Sequence, residues 1–89
     1  MIDRKIKIIN RLGLHARAAA CFVKLAASFE SDIFLVYDQQ SVSGKSIMGI
    51  MMLAASQGTE IIVEVNGTDE QEAAEALVKL INNRFGEDD

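Results

Sequence analysis

Near the start of the chain, apolar residues fall at every second position: Ile6 and Ile8 alternate with Lys5 and Lys7, the two-residue period of a strand with one wet face. A first strand is therefore expected over 4–9. Asn10-Arg11-Leu12-Gly13 breaks the alternation. Over 16–29 the period changes, with Ala19, Phe22, Val23, Ala26 and Phe29 recurring at three- and four-residue steps, the stripe of an amphipathic, Ala-rich helix. β-Branched and aromatic residues over 33–37 predict a second strand, Asp38-Gln39-Gln40 a turn, and Ser41-Val42-Ser43 a short strand returning beside it. Residues 47–53 follow Ser46, a favoured N-cap, and have the length of a short helix that Gly49 weakens by about 1 kcal/mol relative to Ala. After Gln57-Gly58, the run 60–65 puts Ile61, Val63 and Val65 on one face and predicts a central strand. Beyond Asn66-Gly67, Thr68 or Asp69 can cap a last helix with Gln71 or Glu72 three residues on. Ala73, Ala74, Leu77, Val78, Ile81 and Phe85 form its buried stripe, and Gly86 with the tail Glu87-Asp88-Asp89 ends it.

The order β-α-β-β-α-β-α contains one hairpin and two crossovers. It predicts an α+β fold, an open-faced β-sandwich in which a four-stranded, mostly antiparallel sheet carries three helices on one face. The opposite face is then solvated, and Phe34, Val36 and Ile62, out of phase with the core positions, give it some apolar surface. With 89 residues the chain is expected to be one domain, 1–89, burying roughly 60–65% of its unfolded surface, so any chemistry should lie near the exterior.

Charge and composition remove several function classes. Thirteen acidic residues against nine basic ones give a net charge of −4, and no Lys/Arg cluster exceeds Arg4-Lys5, so nucleic acid is not an expected partner. Phe34 and Tyr37 would fall on opposite faces of their strand, which also argues against an RNA-binding sheet. No apolar run is long enough to insert into a membrane, and Asp3, Arg4, Lys5 and Lys7 interrupt any leader-like stretch; a cytoplasmic protein is expected. Cys21 stands alone, cannot form an internal disulfide, and reads as an inert thiol, buried or half-buried.

His15 is the only histidine, and it stands between a glycine-containing loop and the first turn of the predicted 16–29 helix. The first N–H groups of a helix have no intrahelical acceptor, and with the macrodipole they favour an anion such as a phosphoryl group. The positive helix end also disfavours an imidazolium, which leaves a neutral ring nitrogen, the nucleophile that phosphoryl transfer needs. Arg17 can offer paired donors to phosphate oxygens, and Gly13 allows unusual backbone angles and leaves room for an approaching partner. One His and one Cys fall short of the three or four ligands of a zinc site, so no metal is expected. No serine or carboxylate near His15 in the sequence builds a hydrolytic triad.

Gly13-Leu14-His15-Ala16-Arg17, followed by Ala18-Ala19-Ala20, together with Lys45-Ser46-Ile47-Met48-Gly49-Ile50-Met51, resembles the two motif segments of the HPr family. These are the histidine-containing phosphocarriers of the bacterial phosphoenolpyruvate-dependent phosphotransferase system. The separation of the two segments and the order of elements agree with that family over essentially the whole chain. The resemblance implies that His15 accepts a phosphoryl group on Nδ1 from the phosphohistidine of enzyme I, charged by phosphoenolpyruvate, and passes it to an enzyme IIA domain. Arg17 and the backbone N–H groups of Ala16 and Arg17 would stabilise the group in transfer. No cofactor is implied, and the protein would act as a monomeric carrier with a covalent phosphohistidine rather than as a stand-alone turnover enzyme.

The same resemblance makes Ser46 a target of an ATP-dependent HPr kinase/phosphorylase, and makes Ala20, Lys24, Met48, Met51 and Met52 a docking face around His15. Ile47 joins them because one short helix cannot bury so many apolar atoms. One departure is Ala18, where the family usually has Pro just after the arginine; a slightly less rigid helix start with intact activity is expected. Two alternatives stand beside this reading: a non-transferring regulatory module controlled through Ser46, and a carrier of the nitrogen-related branch rather than of sugar uptake.

Overall fold

The alternation near the N-terminus is realised as strand β1 (Ile2–Lys7). The computed structural model describes residues 1–89 and continues with α1 (Ala16–Ala26), β2 (Asp32–Tyr37), β3 (Gln40–Ser43), α2 (Ile47–Met52), β4 (Glu60–Asn66) and α3 (Glu70–Asn82). The strands form one sheet in the order β1-β4-β2-β3, and every pairing is antiparallel. As its β-branched run predicts, β4 is an interior strand. Ile6 lies opposite Ile61, Ile33 opposite Val65 and Leu35 opposite Val63, so the inward residues of three strands form one apolar layer. Against it pack Ala18, Ala19, Phe22 and Ala26 of α1, Ile50 of α2, and Ala73, Ala74, Leu77 and Ile81 of α3, all without exposed surface. On the other face of the sheet Phe34 is exposed and Val36 and Ile62 are half-buried. No helix is long and apolar enough to cross a membrane.

Several boundaries differ from the periodicity, each for a local reason. β1 begins and ends two residues early, yet Ile8 stays in register: its N–H donates to the Thr59 carbonyl at 2.8 Å, and Gly58 N–H donates to the Ile8 carbonyl at 2.7 Å. α1 stops at Ala26 rather than running to Phe29, because the Ser28 hydroxyl donates to the Leu25 carbonyl at 2.6 Å and the Ser28 N–H turns to the same acceptor at 3.0 Å. The hairpin turn is two residues long, Asp38 and Gln39 at φ 51° and 67°, the pairing of left-handed angles that matches strand twist; Gln40 already pairs with Tyr37.

Neither Thr68 nor Asp69 caps α3 through its side chain. The Asp69 carboxylate instead accepts from the N–H groups of Glu30 and Ser31 at 2.9 and 3.0 Å and from the Ser31 hydroxyl, while Glu70 Oε1 accepts from Gly67 N–H at 3.1 Å. Phe85 is buried, but not on the helical stripe. Arg84, Phe85 and Gly86 have φ of 54°, 56° and 82°, a left-handed turn (Arg84–Gly86) that drops Phe85 into the core and sends the tail back across the molecule.

Candidate functional site

The loop before α1 is built on Asn10, which is fully buried. Its Nδ2 donates to the Gly13 carbonyl at 2.8 Å, and Leu14 N–H donates to the Ala55 carbonyl at 2.9 Å. Gly13 has φ 67°, and a Cβ there would stand 2.5 Å from the Ala55 carbonyl oxygen and 2.9 Å from Ser56 Cα. The space that Gly13 leaves is thus filled by the backbone after α2, not held open for a partner as its position in the sequence suggested. A left-handed Ala54, at φ 52°, turns that backbone toward the loop.

Pinned in this way, the loop delivers His15 as the N-cap of α1, with extended backbone angles and no capping bond from its side chain. Ala19 N–H donates to the His15 carbonyl at 2.9 Å as the first intrahelical bond, so the N–H groups of Ala16, Arg17 and Ala18 have no helical acceptor. The His15 side chain is 27% exposed, and Arg17 is exposed and enters no ion pair. The positive helix end, a cation and an imidazole therefore meet on one side of a hollow of about 270 Å³, lined also by Leu12 and by residues 86–89.

The far wall of that hollow is the tail, which the sequence pattern treated as a helix ending. The local sequence offers His15 no carboxylate, but the fold brings one from 72 residues further along: Glu87 Oε2 lies 2.5 Å from His15 Nε2. Asn10 Nδ2 donates to the other Glu87 oxygen at 3.0 Å. Burial pushes the Glu87 carboxyl upward, but the hydrogen bonds from Asn10 and His15 and the charges of His15 and Arg17 outweigh it and leave it below its ordinary value of 4.5. It is ionised at neutral pH. The tail is clamped further on, where Arg11 N–H donates to the Asp89 carbonyl at 2.7 Å and Arg11 Nε to Asp89 Oδ2 at 3.0 Å. Leu12, 56% exposed, is a second residue at the site that carried no sequence signal, since a lone apolar loop residue is ordinary.

The second motif segment forms the neighbouring helix. The Ser46 hydroxyl accepts from Gly49 N–H at 3.0 Å and caps α2 as expected. Gly49 suits that contact, because a Cβ there would stand 3.3 Å from Ser46 Oγ. Of the apolar residues on α2 only Ile50 is buried; Ile47, Met48, Met51 and Met52 are all exposed, as are Ala20 and Lys24 on α1. Cys21 is a free, half-buried thiol.

Comparison with known proteins bears directly on this arrangement. A family model described as "PTS HPr component phosphorylation site" matches residues 2–83. The phosphocarrier protein HPr of Neisseria meningitidis serogroup A is 52% identical over 87 residues, 98% of each chain. The chain belongs to the HPr family. The crystal structure of HPr-C-His from Thermoanaerobacter tengcongensis, 49% identical, superposes on it with a TM-score of 0.95 over 99% of both chains. A crystal structure of an HPr dimer from the same organism, also 49% identical, gives 0.78 over 98% of this chain and 100% of that one. The element order and the open, antiparallel sheet are those of HPr, and the chain is an HPr phosphocarrier of the phosphotransferase system.

Proposed function

We propose that this HPr takes its phosphoryl group from the phosphohistidine of enzyme I onto His15 and hands it to an enzyme IIA domain. The observation that carries the reading is the placement of the His15 ring at the start of α1, uncommitted as a cap, with Arg17 on the same hollow. Phosphoryl transfer asks a protein mainly for positioning and for charge opposite the equatorial oxygens. Arg17 and the N–H groups of Ala16 and Arg17 supply that charge and those donors. The whole chain, 1–89, acts as one domain in the cytoplasm, as a monomer. Ala20, Lys24, Ile47, Met48, Met51 and Met52 form the face on which both partners dock. Ser46, at the start of α2, is where an HPr kinase would add a regulatory phosphate.

The reading is tested by incubating the protein with phosphoenolpyruvate, Mg²⁺ and enzyme I and recording intact mass before and after brief acid treatment. One phosphoryl group that acid removes is expected, and His15→Ala should abolish it; a variant still labelled would overturn the assignment. Offering the phosphorylated protein to enzyme IIA domains of the sugar and nitrogen branches then identifies the acceptor.

A further inference from the structure

We propose that Glu87 is a positioning residue for phosphoryl transfer: held by Asn10, it keeps the proton of the His15 ring on Nε2 and so leaves the lone pair on Nδ1. The proposal rests on His15 being the phosphoryl acceptor. An ionised carboxylate only accepts hydrogen bonds, so at 2.5 Å from Glu87 Oε2 the ring nitrogen Nε2 must be the donor. In a neutral imidazole the other nitrogen then carries the lone pair. Which nitrogen attacks is thereby decided by a residue that need not touch the phosphoryl group.

The carboxylate is itself held in place. Asn10 has no exposed surface, and its Nδ2 faces two acceptors, the Gly13 carbonyl at 2.8 Å and Glu87 Oε1 at 3.0 Å, so its amide cannot turn over without setting oxygen against oxygen. Glu87 reaches it only because Arg84 and Phe85, neither a glycine, adopt left-handed angles that L residues rarely take up, and strain of this kind gathers where geometry serves function.

The transfer step balances with this arrangement. The Nδ1 lone pair forms a bond to the incoming phosphorus as the N–P bond of the donor phosphohistidine breaks, and the electron pair of that bond returns to the donor ring. The Nε2 proton stays where it is. The positive charge that the His15 ring gains is offset by Glu87, the part that a buried carboxylate plays behind a catalytic histidine.

The decisive variant is the isosteric one. In Glu87→Gln, Asn10 Nδ2 still requires an oxygen, so the glutamine NH₂ is turned toward His15. Nε2 must then accept, the ring proton moves to Nδ1, and the nucleophile is blocked. Glu87→Ala leaves the ring without a partner and both tautomers populated. Single-turnover phosphorylation by enzyme I should therefore slow about 10-fold in Glu87→Ala and about 100-fold in Glu87→Gln, by analogy with the range found when the outer hydrogen-bond partner of a metal-bound histidine is changed. Nitrogen-15 shifts of the neutral His15 ring should show the proton on Nε2 in the parent protein and on Nδ1 in Glu87→Gln, with the remaining amide spectrum unchanged. A residue that merely packs the tail predicts the opposite order, with the truncation worse than the isostere. Glu87→Gln no slower than Glu87→Ala, or a ring whose proton stays on Nε2 in Glu87→Gln, would overturn the proposal. The tautomer measurement needs no phosphoryl donor, so it stands apart from a failure of His15 itself to accept phosphate.

Discussion

Three carboxylates, Asp69, Glu70 and Glu87, each hold together parts of the chain that are distant in sequence, and all three titrate below their ordinary values. For Asp69 the leading cause is the hydrogen bond from the Ser31 hydroxyl, followed by the Glu30 N–H; for Glu70 it is the hydrogen bond from the N-terminal amine. A carboxyl whose value is lowered by folding adds stability above its unfolded value and loses it as the pH falls through the folded one. Asp69→Asn should therefore be less stable than the parent at neutral pH, with a difference that shrinks as the pH drops below 3.8; urea unfolding at pH 7 and pH 3 measures both, and equal differences would refute it. At this scale the sequence is legible only where a residue's role is local. His15 and Arg17 declare themselves because a helix start is a local pattern. Asp69 looks like a cap because Asp before a helix commonly is one, and only the approach of Glu30 and Ser31 in space redirects it. Glu87 carries no such pattern, since its partner lies 72 residues away.

Among the elements, α2 depends most on a single contact. It has six residues, contains Gly49 and buries only Ile50, so the Ser46 hydroxyl on Gly49 N–H is a large share of what holds its first turn. Ser46→Ala should cost about 1 kcal/mol of stability in urea unfolding. The same variant should take up no phosphate from an ATP-dependent HPr kinase, whereas the parent does; a parent left unlabelled would remove Ser46 as a regulatory site. Phosphorylation would keep acceptor oxygens at the helix start and add negative charge there, so it should alter docking and leave the fold intact. Element types were readable throughout, because the two- and three-to-four-residue periods are strong in this chain. The ends were less so: Ser28 and the left-handed Arg84 and Phe85 terminate helices through bonds and angles that periodicity does not encode.

For the molecule as a whole, the exposed methionines of α2 and the hollow at His15 are the side that meets other proteins under the function proposed above. Met48 is 71% exposed, so Met48→Glu should change the unfolding free energy by less than about 0.5 kcal/mol. It should nevertheless raise the KM for phosphorylation by enzyme I several-fold, because an unpaired charge is placed where an adaptable apolar side chain docks. Unchanged kinetics would take Met48 out of the interface.

The strand order sets a timetable for making the protein. β1 pairs only with β4, Ile6 opposite Ile61, while β2 and β3 pair across a two-residue turn. On the ribosome the hairpin can close at once, but the first strand must travel unpaired until Glu60–Asn66 has been synthesised. In the His15 loop, Ala55 is made before that strand and can receive Leu14 earlier, but the ring waits longer still, for Glu87 to reach it. A nascent chain therefore holds its histidine in a loop that is not yet fully pinned, and the ring gains its carboxylate partner only after residue 87 has been added.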